Sequence, residues 1–460
     1  MISWCQRRTK YTMSKFFQPF DVIPHNQERA PNPQEDSVSA RLMTSYGVVR
    51  QAGPGTFHLL PLGLRALAKL EAVIDTELQR AGCLKISMPH VTQGHLWRTS
   101  GRLASMGPEL VTFKDRHERT QVLSPTHEEA VTDILRSLPV THERDLPIKL
   151  YQIGTKFRDE MRPKFGMIRA NEFTMQDLYT FDKDIESAET TYREISEAYR
   201  NIFDRLGVPW VRVAGDSGQM GGSRSHEYHF PAAIGQDTLL INQETGEGHN
   251  EELLTSGDTD PGPEFVRKKG IEVGHTFLLG DKYSRPAGAK YELIFSSDFF
   301  SYFCFRFRTD QGKSVPHQMG CYGIGVSRVM AASLEVLSTQ TELRWPEAIA
   351  PFSLAILAPK GGSKEAEAGA GLLQEICQGA ESILGEDVML DDRVKLTVGK
   401  KLREAKKTGY PFIILFGKKC LDQEPMLELY IMKTGEIVEL RPNELLEILS
   451  NRVKKIRDEN

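Results

Sequence analysis

Apolar residues at 62, 64, 67, 70, 73, 74 and 78 of LGLRALAKLEAVIDTELQRAG repeat with the period of a helix and predict one over 62–82, with Gly82 as its C-cap. CLKISMP then reads as a strand closed by Pro89. A second amphipathic helix is predicted over 182–206, with Asp182 or Asp184 as N-cap. From 234 to 270 the chain turns polar and Gly-rich, the pattern of a surface excursion. After RWPEAIAPF (344–352) the grammar changes. FSLAILAP, a helix near 364–384, DVMLDD, a helix near 398–408, PFIILFG, LELYIM and a helix from about 442 alternate in the manner of a separate α/β domain with a mostly parallel sheet. No internal repeat, GxxxxGK[ST] loop or GxGxxG fingerprint is present.

The composition is that of globular material: 460 residues, 40% hydrophobic and 26% charged, enough for two or three domains. No run approaches the roughly 18 apolar residues of a membrane span, so no membrane partner is expected. The net charge of −4 conceals a basic run, since 393–419 holds nine Lys or Arg against Glu404 alone. That run is either a solvated helix or a polyanion contact. Six scattered cysteines, Cys5, Cys83, Cys304, Cys321, Cys377 and Cys420, include no CxxC pair and fit a reducing compartment. Arg7, Arg8, Lys10 and Lys15 precede the first acid, Asp21, a composition shared by organelle-targeting peptides and plain basic tails.

The densest chemistry lies in FRDEMRPKFG (157–166), between two segments that read as strands. If 150–158 and 170–181 pair antiparallel, Arg158 ends one strand, Arg162, Lys164 and Arg169 ring the turn, and Phe173 and Asp177 return along the other. Forked cations beside an aromatic face suit a nucleoside triphosphate. A salt-bridged surface hairpin is the alternative.

Three spacings then resemble class II aminoacyl-tRNA synthetases. Phe157-Arg158-x-Glu160 with Arg169, Phe173 and Asp177 is similar to motif 2 (about 151–181), GCYGIGVSR to motif 3 (about 317–332), and the helix with its strand to motif 1 (about 62–89). Longer strings, LSPTHEEAVTDIL, YQIGTKFRDEMRPKFG, MGGSRSHEY, IEVGHTFLLGDKYS and HQMGCYGIGVSRVMAA, resemble prolyl-tRNA synthetase of the bacterial and mitochondrial type. The resemblance implies an α/β and α+β multidomain chain: an antiparallel-sheet catalytic core flanked by helices, and a C-terminal α/β anticodon-binding domain. The expected division is a basic extension over 1–36, a catalytic domain over 37–345 with a short excursion at 229–273, a linker over 346–352 and an anticodon domain over 353–460.

The roles it implies are specific. Arg158 would bridge the α-phosphate and the amino-acid carboxylate, and Glu160 would meet the adenine amino group or the acceptor end. Arg169 would meet the γ-phosphate, Phe173 and Arg328 would sandwich adenine, and Gly323 and Gly325 would let backbone approach ATP. Proline is expected against Thr126, Glu128, Arg158, Met175, Asp177, His226 and Cys321; a hydroxyl and a carboxylate suit its ammonium, and slim apolar walls suit its ring. Asp391, Asp392, Arg393, Lys400 and Lys401 are the expected anticodon contacts. ATP with Mg²⁺, L-proline and tRNA(Pro) are the expected small molecules and partner, in a homodimer built on the 62–82 stripe, in the mitochondrial matrix or otherwise the cytoplasm. No metal site of the protein itself is expected. Asn171 and Gln176 depart from the family pattern and are expected to alter ATP or acceptor-stem contacts. The 45-residue excursion is too short for an editing domain, so no hydrolysis of alanyl-tRNA(Pro) in cis is expected. The alternatives are a synthetase for threonine, serine or histidine, or a noncatalytic RNA-binding relative.

Overall fold

The computed structural model describes residues 11–20, 37–138, 141–245, 247–254, 264–287, 306–308 and 314–458. The helical periodicity at 62–82 becomes α1 (Pro61–Arg80), with Pro61 in its first turn and Gly82 just beyond its end at φ +75°, a backbone state glycine reaches without strain. Next come α2 (Glu128–Arg136), α3 (Ile185–Leu206) and α4 (Val326–Leu337). Asp184 caps α3 by accepting from the Ser187 amide, while Asp182 instead accepts from the Thr191 hydroxyl at 2.7 Å. Leu62, Leu67, Leu70, Val73, Ile74 and Leu78 of α1 are buried within the chain, and α1 packs on α3, α4 and the turn Glu347–Ile349. The stripe expected to form a dimer face is therefore consumed by the core, and only Leu64 of the predicted set points outward.

These helices cover a nine-stranded sheet. Its strands are β1 (Leu84–Lys85), β2 (Ile148–Phe157), β3 (Glu172–Asp182), β4 (Val211–Ala214), β5 (Arg224–Pro231), β6 (Asp237–Asn242), β7 (Gly248–Asn250), β8 (Phe265–Gly280) and β9 (Gln318–Ile324), in the order β5-β4-β7-β6-β8-β9-β3-β2-β1 with a further β5–β8 pairing. The polar stretch expected as a surface excursion thus supplies strands. Leu239 and Leu240 are both buried, and β6 pairs with the first half of β8. Residues 255–263 of that stretch lie outside the described residues.

Strand register decides which side chains share a face, because side chains alternate along a strand and pair across it. Asp177 lies opposite Gly323 and Gly323 opposite His275, while Tyr179, Cys321 and Phe277 form the next row. Gln152 and Lys156 of β2 join this face opposite Asp177 and Phe173. The other parity meets α3. Tyr199 donates to Gln176 at 2.7 Å, and the Tyr192 hydroxyl lies 2.8 Å from His226 Nδ1.

The C-terminal domain has a six-stranded sheet. β10 (Leu354–Leu357), β11 (Val388–Asp391) and β12 (Phe412–Leu415) run parallel, and β13 (Leu427–Ile431) and β14 (Glu436–Leu440) add antiparallel. Helix α5 (Val398–Thr408) packs against β10 and β12. The sixth strand is Tyr11–Thr12, parallel to β11. The expected basic extension over 1–36 thus contributes a strand to this sheet. Thr12 and Met13 are buried, Ser14 donates twice to Asp392, and the Gln18 amide reaches both Tyr46 O and the Thr408 hydroxyl, so residues 11–20 tie the two domains together. Cys83, Cys321, Cys377 and Cys420 are buried, whereas Cys5 and Cys304 lie outside the described residues.

Candidate active site

Arg158 leaves the end of β2 with its amide bonded to Asn171 O at 2.9 Å and its guanidinium 5.3 Å from the centre of the Phe173 ring. Among the described residues, that guanidinium has no hydrogen bond or ion pair. Burial, then the field of Arg328, lowers it from its ordinary value against the pull of Glu272, Glu160 and Glu109. An anion arriving here would relieve the strain of two neighbouring cations. Arg328, in the first turn of α4, is aimed by its bonds to Ile168 O (2.7 Å) and Glu272 O (3.1 Å). Arg169 is braced between Glu160 (2.8 Å) and Gln236 (2.7 Å), a residue of the excursion. Burial would raise the Glu272 carboxyl, but hydrogen bonding and charge from His275, with Arg328 behind them, hold it well below the carboxylate range.

Gly323 forms the floor between these cations and the neighbouring strands. A methyl group there would have no neighbour nearer than 3.9 Å, whereas one at Gly320 would lie 2.5 Å from the Tyr322 hydroxyl. Gly320 is thus required by packing. Gly323 is not required by packing: a methyl there would rest in ordinary contact with Met175 Sδ, Gln176 O and His275 O, and its bare Cα marks the slot on this face. Gly325 caps α4, and a methyl there would press on Arg328 Cβ at 3.2 Å.

Beyond the slot lies a buried polar pocket. Glu128 Oε1 accepts from the Thr126 hydroxyl (2.8 Å) and from Cys321 Sγ (3.1 Å), and Oε2 accepts from Arg102 (2.8 Å). Burial pushes the Glu128 carboxyl up, but the Arg102 charge and these bonds outweigh it and hold it down. The Cys321 thiol is raised by burial and by Glu128, which makes it a wall and not a thiolate nucleophile. Asp177, expected to face proline, is 1% exposed. It is held by Lys156 (2.7 Å), Tyr179 (3.0 Å) and Gln152 (3.1 Å). It therefore braces the floor instead of offering a free acceptor.

Two further expectations are corrected. His226 lies on the α3 side of the sheet, where burial and then Arg212 and Arg224 lower it to about 4, and not on the face of Asp177, Gly323 and His275. On that face Ser225 and Glu227 flank it, with the Ser225 hydroxyl 2.5 Å from His275 Nε2. Gln176 likewise points at Tyr199, away from the slot, and Asn171 serves through its backbone, its amide bonding Gly55 O at 2.8 Å. Arg102, Lys156, Gln152, Glu272 and His275 were not singled out by sequence. Only Lys156 carried a signal, a charge inside a predicted half-buried strand.

In the C-terminal domain the five expected anticodon contacts are mostly engaged with one another. Arg393 forks onto Asp391 (2.9 and 2.6 Å) and pairs with Glu404 at 2.8 Å. Asp392 is held by Ser14. Lys401 is fully buried and donates to Ala358 O and Asp391 O, so it cannot serve as an open phosphate contact. Of the five, Lys400 is the exposed one, at 58%.

A family model described as the tRNA synthetase class II core domain (G, H, P, S and T) matches residues 111–337, and one described as an anticodon binding domain matches 358–452. A Rattus norvegicus protein named probable proline--tRNA ligase, mitochondrial, is 40% identical over 452 residues, 96% of this chain and 92% of its own length. The Homo sapiens protein of that name is 40% identical over 457 residues, 97% and 92% of the two. The proline--tRNA ligase of Ehrlichia chaffeensis is 36% identical over 404 residues, 84% and 89%. Among solved structures, Giardia lamblia prolyl-tRNA synthetase in complex with prolyl-adenylate shares the fold with a TM-score of 0.73 at 18% identity, covering 91% of this chain and 80% of that one. With such identity running through both the slot-bearing core and the C-terminal sheet, the chain belongs to the prolyl-tRNA synthetases, enzymes of the class II aminoacyl-tRNA synthetase family.

Proposed function

We propose that the chain activates L-proline with ATP and transfers it to tRNA(Pro). The observation that carries this reading is the presence in one core of Arg158, without a hydrogen bond or ion pair among the described residues, and the buried acceptor set of Thr126 and Glu128. Proline is itself a carboxylate and an ammonium. With the ammonium at Glu128 and the ring against Met175 and Cys321, its carboxylate would lie toward Arg158, which would also receive the α-phosphate of ATP. Adenine would stack on Phe173 under Arg328, Glu160 would meet its amino group or the acceptor end, and Arg169 would take the γ-phosphate.

Attack of the proline carboxylate on the α-phosphorus forms the acyl phosphate bond and breaks the bond to pyrophosphate. The terminal ribose hydroxyl of tRNA then displaces AMP. The first step needs positioning and charge stabilisation more than a protein base. Glu272, close enough to act on Arg158, would offer a carboxylate oxygen to a phosphate-bound magnesium, which would offset charge on the leaving pyrophosphate.

Pyrophosphate exchange with each of the twenty amino acids tests the reading. Proline should give exchange well above the rest, and exchange led by threonine, serine or histidine, or none at all, would overturn it. We further propose the mitochondrial matrix as its location, supported by the names of the mammalian relatives. A homodimer is proposed on family grounds, its face elsewhere than the α1 stripe; sedimentation of a fully active monomer would exclude it.

A further inference from the structure

Arg102 follows Gly101 into the short helix Arg102–Ser105, and its guanidinium carbon sits 5.0 Å from the Trp97 ring centre and 5.6 Å from that of Tyr283. It is 3% exposed. One nitrogen, Nη1, serves two carboxylates, Glu128 Oε2 at 2.8 Å and Glu129 at 3.2 and 3.3 Å, and Nη2 meets Met220 Sδ at 3.5 Å. Glu129 also accepts from the Ser100 hydroxyl at 2.7 Å.

A carboxylate offers about four acceptor positions, and three on Glu128 are taken, by Thr126, Cys321 and Arg102. One remains. Arg102 Nη1 spans Glu128 and Glu129, which fixes the orientation of the Glu128 carboxylate. Burial and the neighbouring Glu128 raise the Glu129 carboxyl, while the Arg102 charge and the bonds from Arg102, Thr126 and Cys321 hold Glu128 down.

We infer that Arg102 is a positioning residue for amino-acid selection: it fixes the Glu128 carboxylate in orientation and supplies its counter-charge, so that a substrate ammonium fills the free acceptor position. The inference rests on the reading that Glu128 takes the proline ammonium. Arg102 acts through Glu128 and touches no substrate. It makes the pocket favour a charged ammonium over a neutral group of the same size, because the neutral group would leave the last acceptor position of a buried carboxylate without a charge-assisted donor.

The effect should show as a split between substrates. In pyrophosphate exchange, Arg102→Met should raise the KM for proline about tenfold or more while the KM for ATP moves less than about threefold, as loss of a buried charge-assisted bond on one substrate's side would do. The groups facing Glu128 are Arg102, Glu129, Lys282, Tyr283, Tyr179 and Cys321. With Arg102 gone, burial dominates and the Glu128 carboxyl rises. A raised carboxyl is protonated at lower pH, so the proline defect should be greater near pH 6.5 than near pH 8.5. A role confined to packing would produce no such pH dependence. Arg102→Lys, which keeps the charge, should recover most of the proline affinity and remains the test if the Met variant does not fold. A folded variant with normal proline KM, or a defect shared equally by proline and ATP and independent of pH, would overturn the inference. Absence of proline exchange in the unaltered protein would instead overturn the reading beneath it.

Discussion

Arg158 and Lys156 lie two positions apart on one strand face, yet the structure gives them opposite roles. Arg158 is placed by backbone and by the Phe173 ring, without a carboxylate bond among the described residues. Arg158→Ala should therefore leave thermal unfolding nearly unchanged while reducing proline-dependent exchange about 10²-fold or more, the loss expected for a preorganised charge at the reacting centre. Near-normal exchange in the folded variant would refute its assignment. Lys156 is fully buried against Asp177. Lys156→Met should cost about 3–5 kcal/mol in urea unfolding, because Asp177 would be left charged and buried. Burial would raise Asp177, but Lys156 and His127 hold it below its usual value. Its contribution is thus in place at neutral pH and lost as pH falls through the folded value, so the acid limb of stability should flatten in the variant. Arg158 and Arg328 were legible in the sequence as candidates because FRDE and GIGVSR set them in motif-like spacings. Arg102 was not, since it pairs with residues more than twenty positions away and alone reads as an ordinary surface charge, and Lys156 showed only as a charge inside a predicted half-buried strand, with its partner Asp177 equally distant in sequence. His226 was misplaced by one residue of strand parity, which SRSHEY does not reveal without its partner strands.

At the scale of elements, helices were easier to read than strands. The stripe of α1 and the cap of α3 are local signals, and both helices form within two or three residues of expectation. The excursion misled because its strands carry polar residues on exposed faces and Gly248 and Gly270 at close approaches to other strands. Glu227 accepts from Asn250 at 3.0 Å and lies 2.8 Å from His229 Nε2, so the excursion is joined to the sheet by buried polar bonds as well as by Leu239 and Leu240. The excursion also supports Arg169 through Gln236, so a test for editing cannot be made by deleting it. The better measurement keeps the chain whole. Incubated with preformed alanyl-tRNA(Pro), it should release alanine no faster than buffer alone, because these strands serve the synthetic sheet. Release well above buffer would place a hydrolytic site in this region.

For the molecule as a whole, the seam between catalytic core and C-terminal domain is built from both ends of the chain. Residues 11–20 add a strand to the C-terminal sheet, and Arg65 of α1 lies over Tyr11 and Phe352 while pairing with Asp387. Such a seam fixes the reach between the slot and α5, the distance a bound tRNA must span to touch both. The basic run is not one surface. Lys395, Lys400 and Arg403 are exposed, whereas Lys401 is a buried brace, lowered by burial against the charge of Asp391. Lys400→Glu should raise the KM for tRNA, reduce its salt dependence by roughly one counterion and leave proline exchange intact. Lys401→Glu should instead unfold the C-terminal domain, since a second acid would be buried beside Asp391. If Lys400→Glu charges tRNA with the unaltered salt slope, the tRNA path does not cross α5. If Lys401→Glu melts normally and alters only tRNA binding, that lysine faces RNA, contrary to its buried position here.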